Sequence, residues 1–426
     1  MPNGASTAHL YRPKLLTVLA EGYGLPALRR DLVAGLTVAI VALPLSMAIA
    51  VASGVSPDRG LFAAIVGGFL VSALGGSRFQ IGGPAGAFIV LVSTTVARFG
   101  VEGMLLAVLL SGLMLTVFGA LRLGSLVRHV PHAVAVGFTA GIACTILASQ
   151  LREFGGLTLA GEEPGPVIPK LAALAQALPT LNPGALALGT GVATAIFALR
   201  RWNPTFPGML VAVAAASLLA WACRLDVATI GSSFGGLPRG LPMPQLPDWT
   251  PRLLLDILPT ALAFTLLGGI ESLLSAKVAD GMTDRIHRSN MELVAQGMAN
   301  VASALFGGIS VTGTIARTAT NVRAGAASPV SGMLHAAFLL LFMLVAAPLA
   351  GFVPLAALAG VLVVVSWNMA EKAEFARLLG ERRTAAVLLA TFGLTLLRDL
   401  ISGIVVGCAL AAVFALMRRG VPAEGP

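Results

Sequence analysis

Two stretches of this chain carry residues whose types and spacing could do chemistry. In Ile270-Glu271-Ser272-Leu273-Leu274-Ser275 a carboxylate sits inside an otherwise apolar helical run. Further on, Gly307-Gly308-Ile309-Ser310-Val311-Thr312-Gly313-Thr314-Ile315-Ala316-Arg317 is a run of weak helix formers that ends in a cation. An ionisable group at membrane depth costs roughly 3 kcal/mol on insertion scales, so one that is retained marks a candidate site. Glu271 admits three readings. It can carry a proton reversibly beside a bound anion, each charge relieving the other. It can form a static ion pair with Arg317 that locks two helices together. It can also join Ser275, one helical turn on, and freed backbone carbonyls in a sodium site of hard oxygen ligands. The residues alone leave all three open.

Those groups need a membrane around them, and composition supplies it. The 426 residues are 57% hydrophobic and 11% charged, with a mean hydropathy of +0.89. A soluble domain carries about 25% charged residues. An all-α polytopic membrane protein is expected. The net charge of +9 has no dense basic run with interleaved aromatics behind it, which argues against nucleic acid. Cys144, Cys223 and Cys408 stand apart, and the five histidines form no ligand cluster, so neither a disulfide framework nor a metal site is expected. No nucleophile–base pair appears, which disfavours an enzyme. No cofactor is implied. The first thirty residues are polar and Pro/Gly-broken rather than a cleavable leader.

Apolar segments near 32–53, 59–76, 84–98, 102–121, 132–149, 184–200, 206–223, 253–279, 290–307, 314–327, 329–350, 353–369, 384–399 and 400–417 give fourteen spans. A polar, Pro-rich stretch, 150–182, separates the fifth from the sixth, and Arg398-Asp399 alone separates the last two. With the N-terminus inside, 18 of the 28 Lys and Arg, Arg128 among them, fall on the inner side and 8 on the outer; Arg78 and Arg317 lie near or within the membrane. That bias places both termini in the cytoplasm of an inner (cytoplasmic) membrane protein. The expected domains are a lead-in over 1–30, a transport domain over 31–419 and a tail over 420–426.

The third and tenth spans are short, and each follows a Gly-rich extended segment: Phe79-Gln80-Ile81-Gly82-Gly83-Pro84 and Gly308–Thr314. Each is the third of a set of seven, so the second set enters from the opposite side. Matching interrupted segments in two halves point to an inverted-repeat transporter, with repeats near 31–224 and 251–419. Non-helical backbone at that depth must be buried in protein or line a cavity. Two half-helices starting at Pro84 and Thr314 would face each other across the midplane. Each N-terminus offers about half a positive charge and several unpaired N–H groups, enough to hold an anion without a cationic side chain. The backbone at Ala85, Gly86, Ala87 and Phe88 and at Thr314, Ile315 and Ala316 would bind, and Arg317 would bias the field. The competing reading is that the glycines only let helices pack closely.

Other charges read as structural. Glu21 and Asp31 are expected to cap the first helix, Lys277 to snorkel to the inner face, and His335 to be a packed, hydrogen-bonded histidine. The run 371–383 reads as a solvated face.

Five pieces, in order, resemble the sulfate permease (SulP) family. They are Ala42-Leu43-Pro44, Ser53-Gly54-Val55-Ser56-Pro57-Asp58-Arg59-Gly60-Leu61-Phe62-Ala63-Ala64, Gly75–Pro84, Glu271-Ser272-Leu273-Leu274 and Ala316-Arg317-Thr318-Ala319-Thr320-Asn321. The resemblance covers essentially the whole chain. It implies a seven-plus-seven repeat with a core of spans 1–4 and 8–11, a gate of spans 5–7 and 12–14, and substrate between spans 3 and 10 beside spans 1 and 8. Many relatives place Gln and an aromatic where this chain has Leu45 and Ile49, and Ser-Arg where it has Ala316-Arg317, so this pocket is less polar. Relatives with Asp at the position of Glu271 and Thr at that of Ser275 look sodium-coupled; Glu271 tilts the reading to protons. Relatives usually carry a C-terminal STAS domain, and this chain stops at Pro426. The expectation is a secondary anion transporter, a proton symporter of sulfate or a related small anion, and a homodimer in the lipid bilayer. Bicarbonate or C4-dicarboxylate, sodium coupling, an exchanger or channel, a nucleobase transporter of the same architecture and a non-transporting scaffold are the alternatives.

Overall fold

Apolar runs of this length can satisfy their backbone in lipid only by forming helix, and helices dominate the computed structural model. It describes residues 11–124, 131–161, 163–164, 167–203, 206–398 and 400–419. The lead-in before residue 11, Arg128, Asp399 and the tail 420–426 lie outside the described residues.

A short helix, α1 (Lys14–Gly22), precedes α2 (Leu25–Ala52). Next, α3 (Pro57–Phe62) and α4 (Gly68–Leu74) are joined by a π-helical turn, Ala63–Gly67. A two-residue strand, β1 (Gly82–Gly83), leads through a 3₁₀ turn, Gly86–Phe88, into α5 (Ile89–Ala120). Helix α5 breaks at Gly100, whose φ of 71° lies where side-chain-bearing residues are strained; the third and fourth expected spans meet there. Then come α6 (His132–Gly155), α7 (Val167–Gln176), α8 (Pro183–Trp202), α9 (Gly208–Ala222) and α10 (Ile230–Phe234). The second half holds α11 (Pro251–Met282), α12 (Ser289–Leu305), β2 (Thr312–Gly313) and α13 (Ile315–Arg323). It ends with α14 (Val330–Ala350), α15 (Leu355–Met369), α16 (Lys372–Leu378), α17 (Arg382–Leu397) and α18 (Leu400–Arg419).

Every expected span holds helix, and among the described residues eight helical segments are long and apolar enough to cross a membrane. The polar, Pro-rich stretch 150–182 holds the end of α6 and the whole of α7. Helices sort into two packed groups. In one, α5 lies on α12 and α11, α2 on α14, and α4 on α12 and α14; in the other, α6 lies on α15 and α17, α15 on α8, and α17 on α18. Small residues allow the close crossings: a Cβ on Gly112 would come within 2.7 Å of Gly297 O.

The capping expectation for Glu21 and Asp31 is corrected. Asp31 lies well inside α2, where the backbone N–H groups are already bonded within the helix. Its carboxylate instead caps the loop before α14, accepting from Ala327 N (2.6 Å), Ser328 N (3.0 Å), the Ser328 hydroxyl and Tyr23 Oη (2.8 Å). Burial, together with that bond to Asp31, pushes the Tyr23 phenol up to about 12. Glu21 pairs with Arg78 at 2.5 Å, tying α1 to the loop before β1. The hydrogen bond from Arg78 holds the Glu21 carboxyl below its usual range.

Candidate functional site

The two Gly-rich segments meet. β1 and β2 pair antiparallel, Gly82 opposite Gly313 and Gly83 opposite Thr312, and Thr314 N donates to Ile81 O at 3.0 Å. Antiparallel pairing sends the chains that follow in opposite directions, so both helices begin beside one crossing. Side chains on α11, α12 and α13 hold the extended backbone in place. Asn321 donates to Phe79 O (2.9 Å), Thr318 accepts from Ile81 N (3.1 Å), and Gln80 Nε2 donates to the Ser272 carbonyl (3.1 Å) and hydroxyl (2.9 Å). On the other strand, Asn300 bonds both N and O of Val311, and Ser303 donates to Ile309 O. Each backbone polar group bonded this way is one that lipid depth would otherwise leave unsatisfied.

At the two helix starts, the amides of Gly86 and Ala87 and of Ile315 and Ala316 occupy first-turn positions, where helix geometry supplies no intrahelical partner. The neighbouring Phe88 N and Thr314 N are taken by Ala85 O and Ile81 O. Phe88 is buried and its ring stacks on Phe264 of α11 with centroids 5.7 Å apart. Ala85 and Leu45 are both buried in the main hydrophobic core. A Cβ on Gly86 would lie 3.2 Å from Ile146 Cδ1 and 3.9 Å from Met369 Sδ, so α6 and the end of α15 close over this helix start.

Arg317 is 2% exposed. Its Nη2 donates to Pro84 O (3.2 Å) and the Ser46 hydroxyl (3.3 Å), while Nε and Nη1 have no partner. Nη1 lies over Gly83, where any Cβ would collide with it. The guanidinium therefore reaches from one half-helix to the start of the other. Glu271 is half-buried on the face of α11 shared by Gly268, which accepts from Thr312 Oγ1, and by Ser275. Among the described residues Glu271 and Arg317 form no ion pair, and Glu271 Oε2 is buried without a partner. Ser275 spends its hydroxyl on Thr318 (3.1 Å), not on Glu271.

Several members of this arrangement were not singled out from sequence. Ser46 meets Arg317, and Gln80 anchors β1. Glu292, Gln296, Asn300 and Ser303 form a buried polar stripe along α12, with Glu292 Oε2 accepting from Gly76 N (2.8 Å) and Ser77 N (2.9 Å). Their three- and four-residue spacing on an apolar helix was the available signal. His335 is fully buried with both ring nitrogens unpartnered, contrary to the expected hydrogen-bonded histidine. The α14 backbone at Ser331 and His335 is closely approached by Gly35 of α2.

Comparison with known proteins accords with this geometry. The model of the sulfate permease family matches residues 28–391. "Putative sulfate transporter YvdB" of Bacillus subtilis is 44% identical over 400 residues, covering 93% of this chain and 75% of that protein. "Bicarbonate transporter BicA" of a Picosynechococcus strain is 33% identical over 411 residues, covering 92% and 70%. The solved transmembrane domain of a cyanobacterial BicA superposes with a TM-score of 0.82 at 32% identity, covering 90% of this chain and 98% of that one. Murine solute carrier 26 family member A9 shares the fold, with a TM-score of 0.86 at 17% identity over 98% of this chain and 73% of that one. With its ordered motifs, its crossed half-helices and these matches, the chain belongs to the sulfate permease family, whose members are membrane transporters rather than enzymes.

Proposed function

We propose that this protein is a secondary active anion transporter in which the anion rests between the starts of the two half-helices and Glu271 carries the coupling proton. The observation that carries the reading is the Arg317 guanidinium. It is buried, two of its nitrogens lack partners, and no described carboxylate balances it. A buried unpaired charge is costly, and an anion received by Arg317 and the amides of Gly86, Ala87, Ile315 and Ala316 would relieve it. The absence of a Glu271–Arg317 pair argues against the static lock and leaves Glu271 free to exchange a proton. Ser275 donates its hydroxyl hydrogen to Thr318 Oγ1 and keeps its oxygen lone pairs, so sodium coupling stays the alternative to protons.

Sulfate is the first substrate candidate. Bicarbonate follows from the similarity to BicA, and a small dicarboxylate fits the same donors. Fourteen crossings in two inverted sevens, 31–224 and 251–419, with both termini inside, account for the mirrored contacts: α2 with α14 against α11 with α5, and α8 with α9 against α17 with α18. The closure of Ile146 and Met369 over Gly86 supports a gate of α6–α9 and α15–α18 moving against a core. A homodimer remains part of the proposal. The test is uptake of radiolabelled sulfate, bicarbonate, fumarate or chloride into proteoliposomes under an imposed pH gradient. Acid outside should drive accumulation of at least one anion in the native protein, and Glu271→Gln should abolish the gradient dependence. Equal uptake by the variant, or uptake indifferent to the gradient, would sink proton symport in favour of an exchanger or channel.

A further inference from the structure

Far from the crossing, three helix ends enclose a cavity of about 780 Å³ at one membrane face: the start of α6, the start of α17 and the last turns of α18. Its rim carries Glu381, Arg382, Arg383 and Thr384; its wall is Val387, Ala411, Phe414 and Ala415. These two halves differ in depth. Val387 follows the arginines by about one helical turn, and Phe414 precedes the end of α18 by a similar span, so the wall lies roughly 6–7 Å deeper along the axes. The arginines therefore sit at the level of the bilayer's polar groups, and the wall sits at the level of acyl chains.

The charges at this rim are unbalanced. Arg377 is engaged by Glu374, which also meets His132 at 2.7 Å, whereas Arg382 and Arg383 are exposed and make no ion pair among the described residues. The one acid on the rim, Glu381, accepts the Thr384 hydroxyl at 2.8 Å. A small inorganic anion would leave most of the volume as water against an apolar wall, which the hydrophobic effect opposes. An amphiphile with an anionic head and a hydrocarbon chain matches both halves at once.

The geometry points to a binding site for an anionic phospholipid in the cleft of α6, α17 and α18, its phosphate held by Arg382 and Arg383 and its chain lying on Val387 and Phe414. Native mass spectrometry of the purified full chain, titrated with phosphatidylglycerol or phosphatidylcholine, tests it. Phosphatidylglycerol should bind on the order of tenfold more tightly, given the usual contribution of two basic residues at a membrane surface. The double variant Arg382→Ala/Arg383→Ala should lose that preference. Arg200→Ala/Arg201→Ala, an exposed arginine pair at the end of α8, should keep it. Ala411→Trp, which fills the apolar half, should also weaken the lipid, and glycerol 3-phosphate should fail to compete. Equal binding of the two lipids, equal losses from both arginine pairs, competition by glycerol 3-phosphate, or lipid-free dimers broken by Ala411→Trp would each overturn the assignment. Melting curves of the variants in detergent separate loss of binding from loss of fold.

Discussion

Arg317 is held where water scarcely reaches it, with its Nη1 against the backbone of Gly83 and its Nη2 on Pro84 O and Ser46. In the sequence it sits one turn into the tenth span and reads as an auxiliary charge. Folding makes it the only side chain seen to join both half-helix starts among the described residues. Its length allows this, because the guanidinium spans the gap that the pairing of Gly82 with Gly313 leaves. Arg317→Ala should therefore weaken anion binding by about tenfold to a hundredfold, the usual worth of hydrogen bonds to a charged group. Calorimetric titration of the responsive anion into detergent-solubilised variant checks this, with size-exclusion profiles to show that the protein remains folded. Unchanged affinity would return the binding role to the amides alone, and an unfolded variant would make Arg317 structural.

At the scale of elements, the crossing depends on how closely α12 can approach α5. Gly297 is the contact point: a Cβ there would fall 2.5 Å from both Gly112 O and Thr116 N. Helix α12 also carries Asn300 and Ser303, which hold the segment that leads into β2. Gly297→Val should thus cost about 1–3 kcal/mol through overpacking, read as a lowered melting midpoint in detergent. It should also reduce uptake, because displacing α12 displaces β2. A native melting midpoint would mean that the helices separate without penalty. The short spans and their Gly-rich approaches were legible because interrupted segments stand out in apolar sequence. The polar stripe from Glu292 to Ser303 is not legible in the sequence, since a few polar residues in a long helix have many possible partners until the chain brings Gly76, Ser77 and Val311 against them.

For the whole molecule, the question is how many times the chain crosses the bilayer. Among the described residues eight helical segments meet the length and apolarity of a span by themselves, and shorter helices such as α9 and α13 fill the remaining expected positions. The proposed fourteen crossings put the extended linker around Met243 and the α16 segment around Glu374 on opposite sides. With Cys144, Cys223 and Cys408 replaced by Ala, an impermeant maleimide should label Met243→Cys in intact cells. It should label Glu374→Cys only after permeabilisation. Labelling of both from one side would remove an odd number of crossings between them and overturn the inverted repeat.

From its sequence alone, this chain could be recognised as a polytopic helical membrane protein of the sulfate permease type, with Glu271 and two Gly-rich segments as its chemical centre. Composition, the lengths of apolar runs and the ordered motifs are local properties, and lipid permits few ways to satisfy such runs. Only the tertiary structure decided which groups meet. The β1–β2 pairing, the reach of Arg317 to Pro84 and Ser46, the use of Ser275 by Thr318 and the capping of the α14 loop by Asp31 all join residues distant in sequence. Such contacts arise because each buried polar group takes the partner that packing brings within hydrogen-bonding range, and packing is a property of the folded whole.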